Sequence, residues 1–153
     1  MVIFHRGLFL GLLFLLPGCG NSGVAQPVQP VKAPTQAVQP LDSSCDFCRI
    51  IQRTAPAQII DEDDDVIAIE KRPIRSPVNC LIIPKKHIVN IKSLNAQDPF
   101  DKTIVSKMAF MAQKLSARLK GSGDFSLRIN NGAQAAQTVF HMHAHFVSPE
   151  DWR

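Results

Sequence analysis

Towards its C-terminus the chain reads Phe140-His141-Met142-His143-Ala144-His145-Phe146, a strict alternation of imidazole and apolar side chains. Successive side chains of a β-strand point to opposite faces. A strand would therefore put all three imidazoles on one side and Phe140, Met142, Ala144 and Phe146 on the other. On a helix the same spacing would fan the rings through about 200° and leave them no common site. A strand is expected over residues 139–147. An imidazole row on a strand face suits a metal site, a nucleophile with its helpers, or a pH-sensitive patch. Positions i and i+4 of one strand stand about 13 Å apart, so His141 and His145 cannot share an ion without a bend. That weighs against a zinc enzyme using all three rings.

The first residues are set aside from the fold. His5 and Arg6 precede an apolar run, Leu8 to Leu16, that ends in Leu16-Pro17-Gly18-Cys19. This reads as a signal peptide over residues 1–19, since a permanent transmembrane helix needs about 20 apolar residues. The ending resembles a bacterial lipobox, which makes Cys19 the expected lipidation site, and Gly20 after it favours the outer membrane. Residues 20–44 are rich in Pro, Gln, Val and Ala, with prolines at 27, 30, 34 and 40, and read as an extended tether.

Residues 45–153 remain as the folded unit. Over the whole chain 45% of residues are apolar and 20% charged, and mean hydropathy is +0.01, which excludes a polytopic membrane protein. The net charge of +4 is scattered and aromatics make up 7% with no Tyr, so no nucleic-acid partner is expected.

Residues 46–53 read as a short helix, and 57–60 with 66–70 as a hairpin around the acidic run Asp61 to Asp65. That run lacks the Gly and distal Glu of a calcium loop and reads as a solvated turn. Residues 80–83 form a buried-type strand. The one long helix spans 99–120, with Asp98 as N-cap, Pro99 in the first turn and Gly121 just past the end. Its stripe Ile104, Met108, Met111, Leu115, Leu119 is core packing. Residues 125–129 and 139–147 are the last strands. The order predicts an α+β fold with a five-stranded antiparallel sheet, one long helix and one short one.

Cys45-Asp46-Phe47-Cys48 is a C-x-x-C pair, which suits metal or redox chemistry. Two thiolates need two more ligands for tetrahedral zinc, which His87 and one of the clustered histidines can supply. An exported C-x-x-C can instead close as a disulfide, so both readings stand. Cys80, inside an apolar strand, reads as core.

Taken together, these residues resemble the histidine-triad (HIT) superfamily and its Hint-like branch. The resemblance runs from Cys45-Asp46-Phe47-Cys48-Arg49-Ile50-Ile51 through Leu81-Ile82-Ile83-Pro84-Lys85-Lys86-His87 to Gln137-Thr138-Val139-Phe140-His141-Met142-His143-Ala144-His145-Phe146-Val147. It implies a HIT-like fold and a homodimer. It also implies hydrolysis or transfer at the α-phosphate of nucleoside phosphoramidates or related nucleotide conjugates, through a nucleotidyl-histidine on His143. In such proteins His145 and Thr138 would hold phosphate oxygens, Asn130 would stand near the leaving group with Gln137 beside it, and Phe47, Ile50 and Ile69 would form the base pocket. The zinc ligands of metal-containing relatives map to Cys45, Cys48, His87 and His141. His141 cannot both hold zinc and move protons, and with both cysteines present the structural role is preferred.

Two departures bear on function. The Asp that grips the ribose hydroxyls in many relatives falls at Lys71, and the glycines before the motif are reduced to Gly132, followed by Ala133, Ala135 and Ala136. Lys71 favours the rival expectation, a non-catalytic zinc-containing lipoprotein that binds a phosphorylated ligand. The intact Gln137-Thr138, His143 and His145 favour chemistry.

Overall fold

The computed structural model describes residues 42–71 and 77–152. The expected signal peptide with Cys19, and all of the tether but its last residues, lie outside them. Among the described residues the order is α1 (Asp46–Ile51), β1 (Ile59–Glu62), β2 (Val66–Glu70), β3 (Val78–Pro84), α2 (Pro99–Ser116), β4 (Ser126–Ile129) and β5 (Ala144–Ser148), with short 3₁₀ turns at Ile91–Ser93 and Ala133–Ala135. The five strands form one antiparallel sheet in the order β1-β2-β3-β5-β4, the expected α+β architecture.

β2 and β3 are apolar at nearly every position because both faces of the sheet are covered. On one face α2 seats Ile104, Met108, Met111 and Leu115 against Val66, Ala68, Val78, Cys80, Ile82, Ala144 and Phe146. Burying each such helix side chain contributes about 1.5–3 kcal/mol. The other face carries Phe47 of α1 on Ile67, Ile69, Leu81 and Ile83, and this is the face that His145 shares through its pairing with Leu81. Cys80 is buried core, as its strand context implies.

Asp98 caps α2 by accepting from the backbone N–H of Phe100 at 2.8 Å, with Pro99 in the first turn. The helix stops at Ser116, short of the expected Lys120. Leu119 bridges to Trp152 and the Lys120 N–H donates to the Asp151 carbonyl, so pairing with the C-terminal segment draws the last residues out of the helix. Gly121 is therefore no helix cap. A Cβ there would stand 2.6 Å from the Glu150 carboxylate, so the glycine permits that approach.

The acidic run is not merely solvated. Asp63 accepts from the N–H groups of Asp65 and Val66, closing the hairpin as an Asx turn. Asp65 pairs with Lys107, and Asp61 with Lys114 and Arg118, tying the hairpin to α2 and the turn after it.

The last strand begins at Ala144, not at residue 139. The β3–β5 ladder ends at Ile82 and Ala144, while Ile83 and Pro84 pair only with β2. Upstream of Ala144 the chain turns aside, and the Met142 N–H donates to the Ile88 carbonyl. Phe140 is consequently 52% exposed, whereas Met142, Ala144 and Phe146 are fully buried.

Candidate functional site

The departure from the ladder at Ala144 separates the three histidines into two environments. His141 is fully buried, and its Nε2 lies 2.9 Å from the Pro84 carbonyl oxygen. A carbonyl only accepts, so Nε2 carries the proton and Nδ1 is left with its lone pair. That Nδ1 faces the Sγ atoms of Cys45 and Cys48 at 3.5 and 3.6 Å, and the Nδ1 of His87 lies 3.1 Å from Cys48 Sγ.

One ligand atom from each of Cys45, Cys48, His87 and His141 falls within a cluster whose members all lie within 4.8 Å of one another. A zinc tetrahedron with bonds of about 2.0 Å to nitrogen and about 2.3 Å to sulfur has edges near 3.5 Å, close to the three sulfur–nitrogen distances of 3.1, 3.5 and 3.6 Å. The backbone bond on the remote nitrogen of His141 is the outer support that metal-bound imidazoles usually have. The four residues can hold a metal ion of zinc's type. Both cysteines are free thiols, and burial foremost, followed by the neighbouring Cys45, pushes the Cys48 thiol up to about 12.

His143 is 3% exposed, and its Nδ1 lies 2.8 Å from the His141 carbonyl oxygen. By the same reasoning Nδ1–H donates and Nε2 holds the free lone pair. Burial, and secondarily the charge of Lys71, keep its pKa below the ordinary 6.5, against the opposing pull of the carbonyl. His145 stands next to it, ring centroids 5.1 Å apart. The ammonium of Lys71 lies 3.4 Å from its Nδ1 and can only donate, which leaves Nε2–H free to donate to an anion. Burial first, then Lys71, His143 and Arg128, push His145 down to about 4. Both rings are neutral at pH 7, one presenting a lone pair and the other an N–H donor.

The remaining expected residues divide. Ile50 and Ile69 line a cavity of about 490 Å³ with Pro56, Ala57, Gln58 and Glu70, a size suited to a small-molecule ligand. Phe47 does not line it. Its ring packs edge-on against His141 and His143, at 5.9 and 5.2 Å between centroids, so it supports the histidines. Pro56, Ala57 and Gln58 escape sequence reasoning because a loop carries no periodicity to reveal which residues face a cavity, while Glu70 lies at the end of β2, where the chain leaves the sheet pattern.

Gln137 is 3% exposed and its amide is used by backbone alone. Oε1 accepts from the Gly132 N–H at 2.7 Å, and Nε2 donates to the carbonyls of Val89 at 2.7 Å and Val139 at 3.1 Å. It shapes the loop and has no donor left for a phosphate. Asn130 likewise donates to the Ala136 carbonyl, 3.2 Å away, while Thr138 is exposed. Gly132 sits where a glycine is needed, at φ 96° and ψ 163°, whereas Ala136 at the other end of the same turn takes a left-handed conformation, φ 61° and ψ 30°, that glycine would adopt at less cost.

The HIT domain family matches residues 52–151. An uncharacterized HIT-like protein of Synechocystis is 38% identical over 108 residues, covering 69% of this chain and 92% of that protein. Among solved structures, a HIT family hydrolase of Clostridium thermocellum is 37% identical with a TM-score of 0.64, covering 70% of this chain and 91% of that one. A Zn-bound histidine triad family protein of Mycobacterium smegmatis is 34% identical with a TM-score of 0.54, covering 68% of this chain and 73% of its own.

Proposed function

As the chain belongs to the HIT domain family, we propose that it is a Hint-like hydrolase of nucleoside phosphoramidates or related nucleotide conjugates. In the first step Nε2 of His143 forms a bond to the α-phosphorus and the bond to the leaving group breaks. In the second, water displaces the imidazole and frees the nucleoside monophosphate. A neutral imidazole is both a nucleophile and a competent leaving group. The His145 Nε2–H would donate to a phosphate oxygen as charge grows there, with Thr138 reaching the same oxygens and Asn130 and Gln137 holding the loop beside them. The base would enter the cavity between Ile50 and Ile69.

The observation that carries this reading is the bond from His143 Nδ1 to the His141 carbonyl, which fixes the tautomer with its lone pair on Nε2. The name of the C. thermocellum hydrolase supports it at the level of reaction type. Zinc at Cys45, Cys48, His87 and His141 would have a structural part, bracing α1 against the histidine segment. We further propose lipidation at Cys19, export to the outer membrane on the tether, and a homodimer.

The test is a substrate panel on the purified full chain: adenosine 5′-monophosphoramidate and its guanosine counterpart, with His143→Ala beside the wild type. Wild-type release of the monophosphate, lost in the variant, is expected. Binding without release in the wild type would instead support a non-catalytic ligand-binding lipoprotein, the reading that Lys71 beside His145 favours. Replacement of Cys19 by Ala should move the protein from the membrane fraction to the soluble one.

A further inference from the structure

Among the described residues Lys71 meets no opposite charge in this site. It follows β2 directly, its N–H donating to the Asn79 carbonyl at 2.9 Å, and its side chain leaves the sheet on the same face as Ile69. The side chain is partly buried and its ammonium touches the imidazole of His145. Among the described residues no carboxylate pairs with it. A half-buried ammonium against neutral rings gives up hydration with no opposite charge to offset the loss. A bound anion supplies that charge.

The position of Lys71 says which anion. The cavity that takes the base is walled by Ile69 and Glu70, immediately before Lys71 in sequence, and the phosphorus under attack lies at His143 and His145. The Lys71 backbone thus adjoins a wall of the base cavity while its ammonium reaches His145, the span that a nucleotide's sugar would cross. Arg128, also unpaired with any described carboxylate, faces His145 from the opposite strand β4, on the side away from that cavity.

We propose that Lys71 binds a second phosphate carried on the ribose 2′ or 3′ hydroxyl, so that the preferred ligand is a nucleoside bisphosphate derivative. This deepens the hydrolase reading and rests on it for the placement of base and α-phosphate, yet it is tested by binding alone. Calorimetric titration of the full-length chain with AMP, adenosine 2′,5′-bisphosphate, adenosine 3′,5′-bisphosphate and ADP separates the possibilities.

One of the two ribose bisphosphates is expected to bind about tenfold tighter than AMP, the scale of one charge-assisted contact. Lys71→Ala should bring that ratio to within about twofold and Lys71→Asp should invert it, while Arg128→Ala should weaken all four ligands and preserve it. The proposal is overturned if neither ribose bisphosphate exceeds AMP, if the preference survives in Lys71→Ala, or if Arg128→Ala removes it equally. It is also overturned if ADP alone binds tighter, which would put the second phosphate in line with the first. A preference for a ribose bisphosphate in a protein that never turns over would refute the hydrolase reading and leave this one standing.

Discussion

The Nδ1 of His143 lies 2.8 Å from the carbonyl oxygen of His141, two residues earlier in the chain. The free lone pair is thereby left on Nε2, and the proposed attack through that atom has a direct chemical readout. Protein mixed with phosphoramidate and denatured at alkaline pH, where a phosphorus–nitrogen bond to imidazole survives, should carry a nucleotidyl group. Tandem mass spectrometry is expected to locate it on His143, and phosphorus–nitrogen coupling by NMR on Nε2. An adduct on His141 or His145 would end the assignment.

Gln137 holds three backbone groups at once, the Gly132 N–H and the carbonyls of Val89 and Val139. Truncation to Ala leaves these part-buried groups without that partner, which costs about 2 kcal/mol and, for a domain of this size, lowers the melting temperature on the order of 10 °C. Because the loop from Gly132 to Gln137 leads into the histidine segment, kcat should fall as well. A Tm within about one degree of wild type would show that the bonds are not made in solution.

The sheet, both helices and the metal-competent cluster were legible because each rests on a local code: the apolar run at 66–69, the Asp98-Pro99 start of α2, and the paired thiols at 45 and 48. What escaped depends on segments meeting from far apart. The alternation at 139–147 predicts one strand, yet the ladder with β3 ends at Ala144, and nothing in the residues 140–143 signals that β3 stops pairing there. The resemblance puts Gln137 beside Asn130 near the leaving group, and no local pattern shows that its amide is taken up by the backbone of Gly132, Val89 and Val139. The α2 overrun to Lys120 has the same origin, since Trp152 and Asp151 lie some thirty residues on.

Glu150 offers a pH-resolved check on that C-terminal closure. Its carboxylate accepts from the Ser122 hydroxyl and from the N–H groups of Ser122, Gly123 and Gly121, which together hold it below the ordinary 4.5. A depressed folded-state pKa means that the stabilisation is complete above 4.5 and vanishes as pH falls through the lower folded value. The Tm gap between wild type and Glu150→Gln should therefore be constant from pH 7 to about 5.5 and close below 4.5. A gap unchanged at pH 3 would contradict the bonding.

The four-residue cluster makes a prediction about metal and fold together. Cys45 and Cys48 flank Phe47, whose ring touches both His141 and His143. Anything that loosens the first turn of α1 must therefore reach the site. Elemental analysis should find about one zinc per chain, lost in Cys48→Ser. Deprotonating a thiol that burial holds near 12 should release protons when zinc is added back to metal-free protein. Chelation is expected to lower Tm and kcat together, because the Phe47 support is shared. The competing outcome is a Cys45–Cys48 disulfide, which thiol titration and mass spectrometry of the purified protein would reveal. In that case His141 Nδ1 would face two sulfurs with neither a metal nor a thiol proton to satisfy it, and Cys48→Ser should then leave the metal content at zero and kcat little changed.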